Sequence, residues 1–328
     1  MILVTGGAGY IGSHTVLCLR GKNTPVLVLD DLSEGHEAAI SGTDLVRGST
    51  LDREFLAQVF AEHPIRAVCH FAARCYVGES VTDPGQYYRN NVVGTLNLLE
   101  AMVAAGVTQF VFSSTCATYG ETDEMPIVED APQAPINPYG ETKLVCERIL
   151  GDFQTAHGLH SVALRYFNAA GADPEGRIGE DHDPETHLIP LVLKAVAGQR
   201  EKVTVFGDDY PTPDGTCIRD YVHVTDLAAA HVLALESLES GATGARAYNL
   251  GNEQGASVKE VIAAAASVTG SDVPHDIGPR RPGDPPILVG SSAKIRSELG
   301  WDPQFGDVRT IVETAWRWHE SHPEEYSK

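Results

Sequence analysis

The stretch Thr5-Gly6-Gly7-Ala8-Gly9-Tyr10-Ile11-Gly12 follows an apolar run, Ile2–Thr5, and opens a helical pattern over about Ile11–Leu19. Its glycines at 6, 9 and 12 fit G-x-x-G-x-x-G. Three physical needs account for them. The backbone must turn tightly, approach a pyrophosphate with no Cβ in the way, and seat the helix close to the sheet. The helix start then offers free N–H groups and the positive end of its dipole to phosphates. A glycine-rich turn alone is a weak sign, but at the first strand–helix junction it reads as a dinucleotide-binding turn. Asp30 ends the second apolar run, Val26–Asp30, 18 residues after Gly12. A carboxylate there accepts hydrogen bonds from a ribose diol and repels a 2′-phosphate. No Arg follows within the next sixteen residues, so the expectation is NAD rather than NADP.

Beyond this turn, apolar runs alternate with helical patterns. Strands are expected at Ile2–Thr5, Val26–Asp30, Asp44–Arg47, Ala67–Ala72, Gln109–Ser113 and Ser161–Tyr166, with helices near Ile11–Leu19, Asp52–Glu62, Gln86–Ala105 and Pro138–His157. Continuous apolar strands separated by helices imply βαβ units and a parallel sheet covered on both faces. The fold class is therefore α/β, a Rossmann-type doubly wound sheet over residues 1–168. From about Ala169 the chain is richer in Pro, Gly and Asp. It reads as a smaller mixed α/β lobe, 169–328, with some elements free to cross between lobes and a ligand cleft between them.

The 328 residues include 24 Lys and Arg against 45 Asp and Glu, a formal net charge of −21. So acidic a surface disfavours nucleic acid and anionic lipid as partners. No stretch approaches the roughly 18 uninterrupted apolar residues of a membrane span. No signal peptide is visible at Met1-Ile2-Leu3-Val4. The cysteines at 18, 69, 75, 116, 146 and 217 form no Cys-x-x-Cys pair and read as reduced thiols of a cytoplasmic protein.

Asn137-Pro138-Tyr139-Gly140-Glu141-Thr142-Lys143 has Asn at a helix N-cap and Pro at the first helical position. Tyr139 and Lys143 then share one helical face. A phenol needs a neighbouring positive charge to act as a base near neutral pH. The fifth strand runs into Ser113-Ser114-Thr115-Cys116-Ala117-Thr118-Tyr119-Gly120, placing hydroxyls at the carboxyl edge of the sheet, where ligands of open α/β folds bind. Tyr-x-x-x-Lys is a common helical pairing on its own; downstream of the dinucleotide turn it becomes a reactive dyad, with Thr115 beside it.

These motifs resemble the extended short-chain dehydrogenase/reductases, and more closely the UDP-galactose (UDP-glucose) 4-epimerases. The resemblance runs through nearly the whole chain. It includes His70–Ala73, Val77–Ser80, Tyr87–Asn91, Leu164–Asn168, Phe206–Tyr210, Asp214–His223 and Arg280-Arg281-Pro282-Gly283-Asp284. It implies that Tyr139 removes the C4 hydroxyl proton, that C4 gives hydride to NAD, and that a 4-keto sugar turns and is reduced on its other face. Lys143 would bind the nicotinamide ribose and lower the Tyr139 pKa, and Thr115 would assist at the hydroxyl. The resemblance places Gly6, Gly9, Tyr10, Ile11, Gly12, Asp30, Asp31, Leu32, Ser33, Ser49, Thr50, Phe71, Ala72, Ala73, Asn90, Ser113, Tyr139, Lys143 and Tyr166 around NAD. It places Thr115, Tyr139, Phe167, Asn168, Leu188, Thr204, Phe206, Arg219, Arg281 and Asp284 around the UDP-sugar. Lobe 1–168 would hold NAD and lobe 169–328 the nucleotide sugar, in a homodimer formed through the helices carrying Asn91–Ala105 and Tyr139–Phe153.

The chain departs from the family pattern in places. Gly48-Ser49 stands where the family has Gly-Asp near adenine, Cys75 where some members have Lys, and Thr186-His187 where a pair of Asn is usual. Leu288 falls at the sugar-gating position and is intermediate in size, which leaves N-acetylhexosamines open. UDP-arabinose (UDP-xylose) and UDP-glucuronate epimerases are alternatives, since Thr115–Gly120 and Gly215–Asp220 also look like the pentose enzymes. A nucleotide-sugar dehydratase would need an acidic pair after Thr115, where Cys116-Ala117 stands. A non-catalytic NAD sensor would have no need of the Tyr139/Lys143 dyad. Glu180-Asp181-His182-Asp183-Pro184-Glu185-Thr186-His187 is rich in potential ligands, but its spacing matches no closed metal motif, and a solvated acidic loop without metal is expected. Trp301, Trp316 and Trp318 read as C-terminal core.

Overall fold

The structure is a computed structural model that describes residues 1–122, 124–281 and 284–326. Pro282 and Gly283 of the quoted Arg280–Asp284 stretch lie outside the described residues. Seven strands form one parallel sheet: β1 (Ile2–Thr5), β2 (Val26–Asp30), β3 (Asp44–Arg47), β4 (Ala67–His70), β5 (Gln109–Thr115), β6 (His160–Tyr166) and β7 (Ala245–Leu250). Their spatial order is β7-β6-β5-β4-β1-β2-β3. The order reverses at β1/β4, so the crevice at the carboxyl ends of those strands is the switch point where ligands of such sheets bind. β1, β2 and β4 are buried along their whole length, as their unbroken apolar runs require.

The first three strands have the expected bounds. β4 stops at His70, short of the expected Ala72, because Phe71 and Ala72 turn to donate both N–H groups to the Thr5 carbonyl. β5 runs two residues beyond Ser113, since its ladder with β6 continues to the Thr115–Tyr166 pair. The expected helix Gln86–Ala105 is present but passes through a π-helical stretch, Tyr88–Val93, before the α-helix Gly94–Ala104.

The second half of the chain supplies part of the first layer. Helix Val224–Glu239 packs on the glycine-turn helix Tyr10–Gly21, and β7 extends the sheet. Leu227, Ala230, Val232, Ala234, Leu235 and Leu238 of that helix join Val4, Val16, Leu19, Val28 and Val111 in one core cluster, with Trp301. A separate cluster unites helix Leu188–Val196 with helices Val258–Thr269 and Val308–Ser321. Trp301 and Trp318 are fully buried, and Trp316 packs against this second cluster, in line with the core reading. All six cysteines are free thiols. Among the described residues no helix is long and apolar enough to cross a membrane.

Two buried carboxylates fasten the second half to itself. Asp226 accepts N–H bonds from Gln304 and Phe305, both at 2.9 Å. Asp220 is wholly buried and accepts from Asn252 at 2.7 Å, Gly290 at 3.1 Å and Glu253 at 3.3 Å. Its own carbonyl receives Asn168 through both backbone and side chain. Replacing Asp220 by Ala strands three N–H groups. We expect Asp220→Ala to lose on the order of 2–5 kcal/mol in chemical denaturation, from the cost of unsatisfied buried donors. A loss under about 1 kcal/mol would remove Asp220 as the fastening point.

Candidate active-site cleft

The glycine turn is held by close approaches that leave no room for side chains. Gly6 adopts a left-handed φ of +69°, and a Cβ there would run into the backbone of Phe71 and Ala72. A Cβ on Gly12 would meet the Gly6 carbonyl and Gly7. One on Gly9 would meet only the Gly6 carbonyl at 3.4 Å, so this glycine forms a bare floor. Gly9 is the N-cap of helix Tyr10–Gly21 and offers no side-chain cap, which leaves the first-turn N–H groups to an external acceptor. The floor opens into a cavity lined by Gly6, Gly9, Asp30, Asp31, Ser33, Ser49, Thr50, Phe71, Ala72, Ala73 and Asn90, all expected around NAD. Bare glycines at a helix start, with a carboxylate on the next strand, fit a dinucleotide.

Several side chains act differently from expectation. The Asp30 carboxylate accepts N–H bonds from Ala8 and Leu32, both at 2.9 Å, so it braces the turn while it lines the cavity. Burial pushes its pKa up against those bonds. The Tyr10 phenol donates to the Gly171 carbonyl at 2.6 Å, pinning the turn to the second half of the chain. Ile11, Gly12 and Leu32 do not line the cavity, though Ile11 and Leu32 pack against the core beneath it. Arg74 does line it, a cation that a search confined to the residues after Asp30 misses. Its guanidinium lies 3.4 Å from Glu34 and 3.8 Å from Glu79. Asn91 holds the Arg74 backbone through both amide atoms and donates to Thr142 on the dyad helix.

The reacting groups gather at the end of β5. Asn137 caps helix Pro138–His157 by accepting from Gly140 N–H at 2.8 Å. This sets Tyr139 and Lys143 on the face toward the strand. Lys143 is buried, donates to the Ser113 carbonyl at 2.8 Å and lies over the Phe112 ring. Burial lowers its pKa to about 8. The Ser113 and Tyr166 hydroxyls form a short hydrogen bond. The Thr115 hydroxyl lies beside the Tyr139 phenol and accepts from Ala117 N–H at 3.2 Å. Beneath the strand end, Glu147 accepts from Ser114 at 2.5 Å and pairs with buried Arg165, which also donates to Tyr119.

The expectation that Lys143 lowers the Tyr139 pKa is not met by the chain alone. Burial pushes the Tyr139 phenol well above its ordinary value. The Lys143 ammonium is turned to the Ser113 carbonyl and is itself penalised by burial. A phenolate at Tyr139 therefore requires a further positive charge in the cleft. Cys75, noted in the sequence only as a departure, has an exposed thiol.

Across the cleft, the residues expected at the nucleotide sugar fall into connected groups. Arg219 pairs with Asp284, and the Arg281 guanidinium lies 4.1 Å over the Phe206 ring. Thr204 and Phe206 alternate on strand Val203–Phe206 and so share a face. Phe167 packs with Cys116, Tyr119 and Leu288, which joins the β5 end to the gating position. Gly290 lies so close to the Phe167 ring that a Cβ would overlap it. Leu188 opens helix Leu188–Val196. The segment Glu180–His187 is not the solvated loop expected. Glu180 is buried, and its carboxylate and that of Glu185 draw in His182 and His187, which offset their charge.

Residues 2–251 match the NAD dependent epimerase/dehydratase family. The chain is 55% identical over 327 residues to the UDP-glucose 4-epimerase of Halalkalibacterium halodurans, covering 99% of this chain and 97% of that one. It resembles the UDP-glucose 4-epimerase of Brucella ovis, solved in complex with NAD, with TM-score 0.94 and 50% identity over 96% of this chain and 97% of that one. The UDP-glucose 4-epimerase of Stenotrophomonas maltophila, solved with NAD and formylated UDP-arabinopyranose, gives TM-score 0.94 and 42% identity over 98% of each.

Lys143 offers a test that does not depend on catalysis. Its pKa of about 8 lies below the ordinary 10.5, so between these values the unfolded chain binds more protons. Stability contributed at this site therefore rises with pH across that window. In cofactor-free protein, the wild type should gain on Lys143→Met in unfolding free energy as pH rises from about 8 to about 10. A difference independent of pH there would show that Lys143 keeps an ordinary pKa.

Proposed function

The chain belongs to the NAD dependent epimerase/dehydratase family, and on that premise we propose that it interconverts UDP-galactose and UDP-glucose by inversion at C4. The carrying observation is the meeting of Thr115, Tyr139 and Lys143 at one strand end, beside a Cβ-free dinucleotide cradle. The likeness to UDP-glucose 4-epimerases extends over nearly the full chain.

In this reading Tyr139 takes the C4 hydroxyl proton and later returns it to the 4-keto oxygen. Thr115 fixes the phenol and offers its hydroxyl to the same sugar oxygen. Bound NAD supplies the hydride acceptor and donor and a positive charge. Lys143, anchored at Ser113, steadies a ribose and holds that side of the cleft positive. Gly6, Gly9 and the N–H groups opening helix Tyr10–Gly21 receive the pyrophosphate of the cofactor. Arg219 and Arg281 hold the sugar diphosphate, Phe206 packs on uracil, and Phe167 and Asn168 border the sugar. The lobe 1–168 thus serves NAD and 169–328 the nucleotide sugar, in a cytoplasmic enzyme.

A pentose reading has specific support, since a structural relative was solved with formylated UDP-arabinopyranose. Leu288 packs against the cluster that holds Phe167 and Cys116, and an intermediate side chain there tolerates more than one sugar. Purified protein should retain NAD and epimerise UDP-galactose without added cofactor. Tyr139→Phe should lower kcat by about 10²–10⁴-fold, the usual scale for a lost acid–base group, with NAD still bound. A rate within a few-fold of wild type sinks the mechanism. Assay against UDP-hexose, UDP-N-acetylhexosamine, UDP-pentose and UDP-uronate decides the sugar, and equal rates across all four would defeat the galactose assignment.

The proposed homodimer uses the helices carrying Asn91–Ala105 and Tyr139–Phe153. Val81 and Tyr88 just before the first of them, and Val93 within it, are exposed apolar side chains, and apolar side chains on a helical face suit a self-complementary interface. Val93→Glu should shift sedimentation from dimer to monomer. A wild-type chain that sediments as a monomer removes the proposal.

A further inference from the structure

The segment between the cleft and helix Leu188–Val196 brings Glu180, His182, Glu185 and His187 together, with one donor atom from each lying within 4.8 Å of the others. The imidazole nitrogens face carboxylate oxygens throughout. His182 Nδ1 is 3.2 Å from Glu180 Oε1 and 3.6 Å from Glu185 Oε2. His187 Nδ1 is 3.0 Å from Glu180 Oε1 and 2.9 Å from Glu185 Oε1.

A second observation concerns hydrogen bonding. The Glu185 side chain is only 4% exposed, and its Oε2 has no hydrogen-bond partner. His182 Nδ1 is likewise buried and, despite its short approach to two carboxylates, meets neither with hydrogen-bond geometry. Buried polar atoms are seldom left in that state. His187 Nδ1 does pair with Glu185 Oε1 at 2.9 Å, but His182 Nδ1 and Glu185 Oε2 converge on the same space with no partner of their own, as ligands to a common centre would. Four donors at about 2.1 Å from a tetrahedral zinc would stand about 3.4 Å apart, which falls among the spacings seen.

We propose that Glu180, His182, Glu185 and His187 form a binding site for one divalent transition-metal ion, with zinc the best match. Two imidazoles and two carboxylates are borderline donors suited to Zn²⁺. Four protein ligands close a tetrahedral sphere, which marks the site as structural rather than catalytic. The two carboxylates and the metal together are neutral, so the charge is matched at a buried position. His187 is 43% exposed on its side chain and gives the ion a route from solvent.

The surroundings show what the ion would hold in place. The His182 ring packs edge-on against Tyr10, at 6.1 Å between centroids, and against Tyr76, at 6.3 Å. Tyr10 opens the dinucleotide turn, and Tyr76 donates to Glu34 of the cofactor cavity. On its other side, His187 leads directly into Leu188. A metal here would link the wall of the cofactor cavity to the start of the helix proposed at the nucleotide sugar.

The test uses the whole protein with its bound nucleotide. After treatment with chelator and removal of the chelator, Zn²⁺ titrated by calorimetry should bind at one ion per chain and raise Tm. Co²⁺ added instead should give the intense visible absorption of a tetrahedral site. His182→Gln and Glu185→Gln, each checked for folding by retained NAD, should weaken Zn²⁺ binding by about 100-fold or more, beyond the 10–100-fold typical of outer-shell changes. If saturating Zn²⁺ neither binds at one per chain nor moves Tm, the proposal fails. It fails equally if both variants bind as the wild type does, since the ion then lies elsewhere, or if Co²⁺ gives only the pale spectrum of octahedral water.

Discussion

The close approach of Gly12 to the Gly6 carbonyl is the constraint on which the cleft depends. It seats helix Tyr10–Gly21 on the sheet at a spacing that any Cβ would prevent. Asp30 reinforces it from the neighbouring strand by accepting from Ala8, so β2 and the turn move as one. The same helix then serves as the floor for Val224–Glu239, which carries the second half of the chain back over the sheet. Tyr10 completes the connection through Gly171. A residue that looks like a cofactor contact thus sets the position of the far wall.

From that frame follows a division of labour at the end of β5. The strand provides fixed acceptors and hydroxyls, and the helix Pro138–His157 provides the phenol and ammonium. Lys143 is oriented by the Ser113 carbonyl, a backbone group that cannot swing away. The buried Glu147–Arg165 pair holds Ser114 from below. Breaking such a pair leaves a buried charge and costs several kcal/mol, about 3–5, so it also locks the geometry above it. Burial holds the Tyr139 phenol well above its ordinary pKa.

Much of this was legible in the sequence because it is local. The glycine spacing, the Asn137-Pro138 helix start and the unbroken apolar strands each dictate their own conformation through Cβ sterics, capping and burial. β1, β2 and β3 end where their residue types say they should. What escaped reading depends on distant partners. β4 ends early because Thr5 takes two N–H groups from its neighbour strand. Asp30 and Tyr10 spend their polar atoms on Ala8, Leu32 and Gly171, and no spacing rule encodes those bonds. Glu180–His187 looked solvated because six charged or titratable residues in eight suggest water. In the folded chain Glu180, His182, Glu185 and His187 turn toward one another instead.

The acidic surplus, −21 overall, bears on how anionic ligands are received. Bulk attraction is absent, so each cation near the cleft must be placed and kept from competing partners. The structure does this by giving each one a local counterpart. Arg219 is held by Asp284, Arg74 by Glu34 and Glu79, Arg281 by the face of Phe206, and Lys143 by the Ser113 carbonyl. Of these, the carbonyl and the aromatic face are neutral and leave the positive charge uncancelled. Arg281 and Lys143 therefore present net charge to a phosphate or an oxyanion, whereas Arg219 and Arg74 must first loosen a carboxylate. An anion that reaches Arg219 displaces Asp284, and that exchange favours ligands able to replace the pair with two hydrogen bonds, as a diphosphate does. On the proposed function, selectivity for a diphosphate over a single carboxylate would arise in an acidic protein from the partners its cations already have.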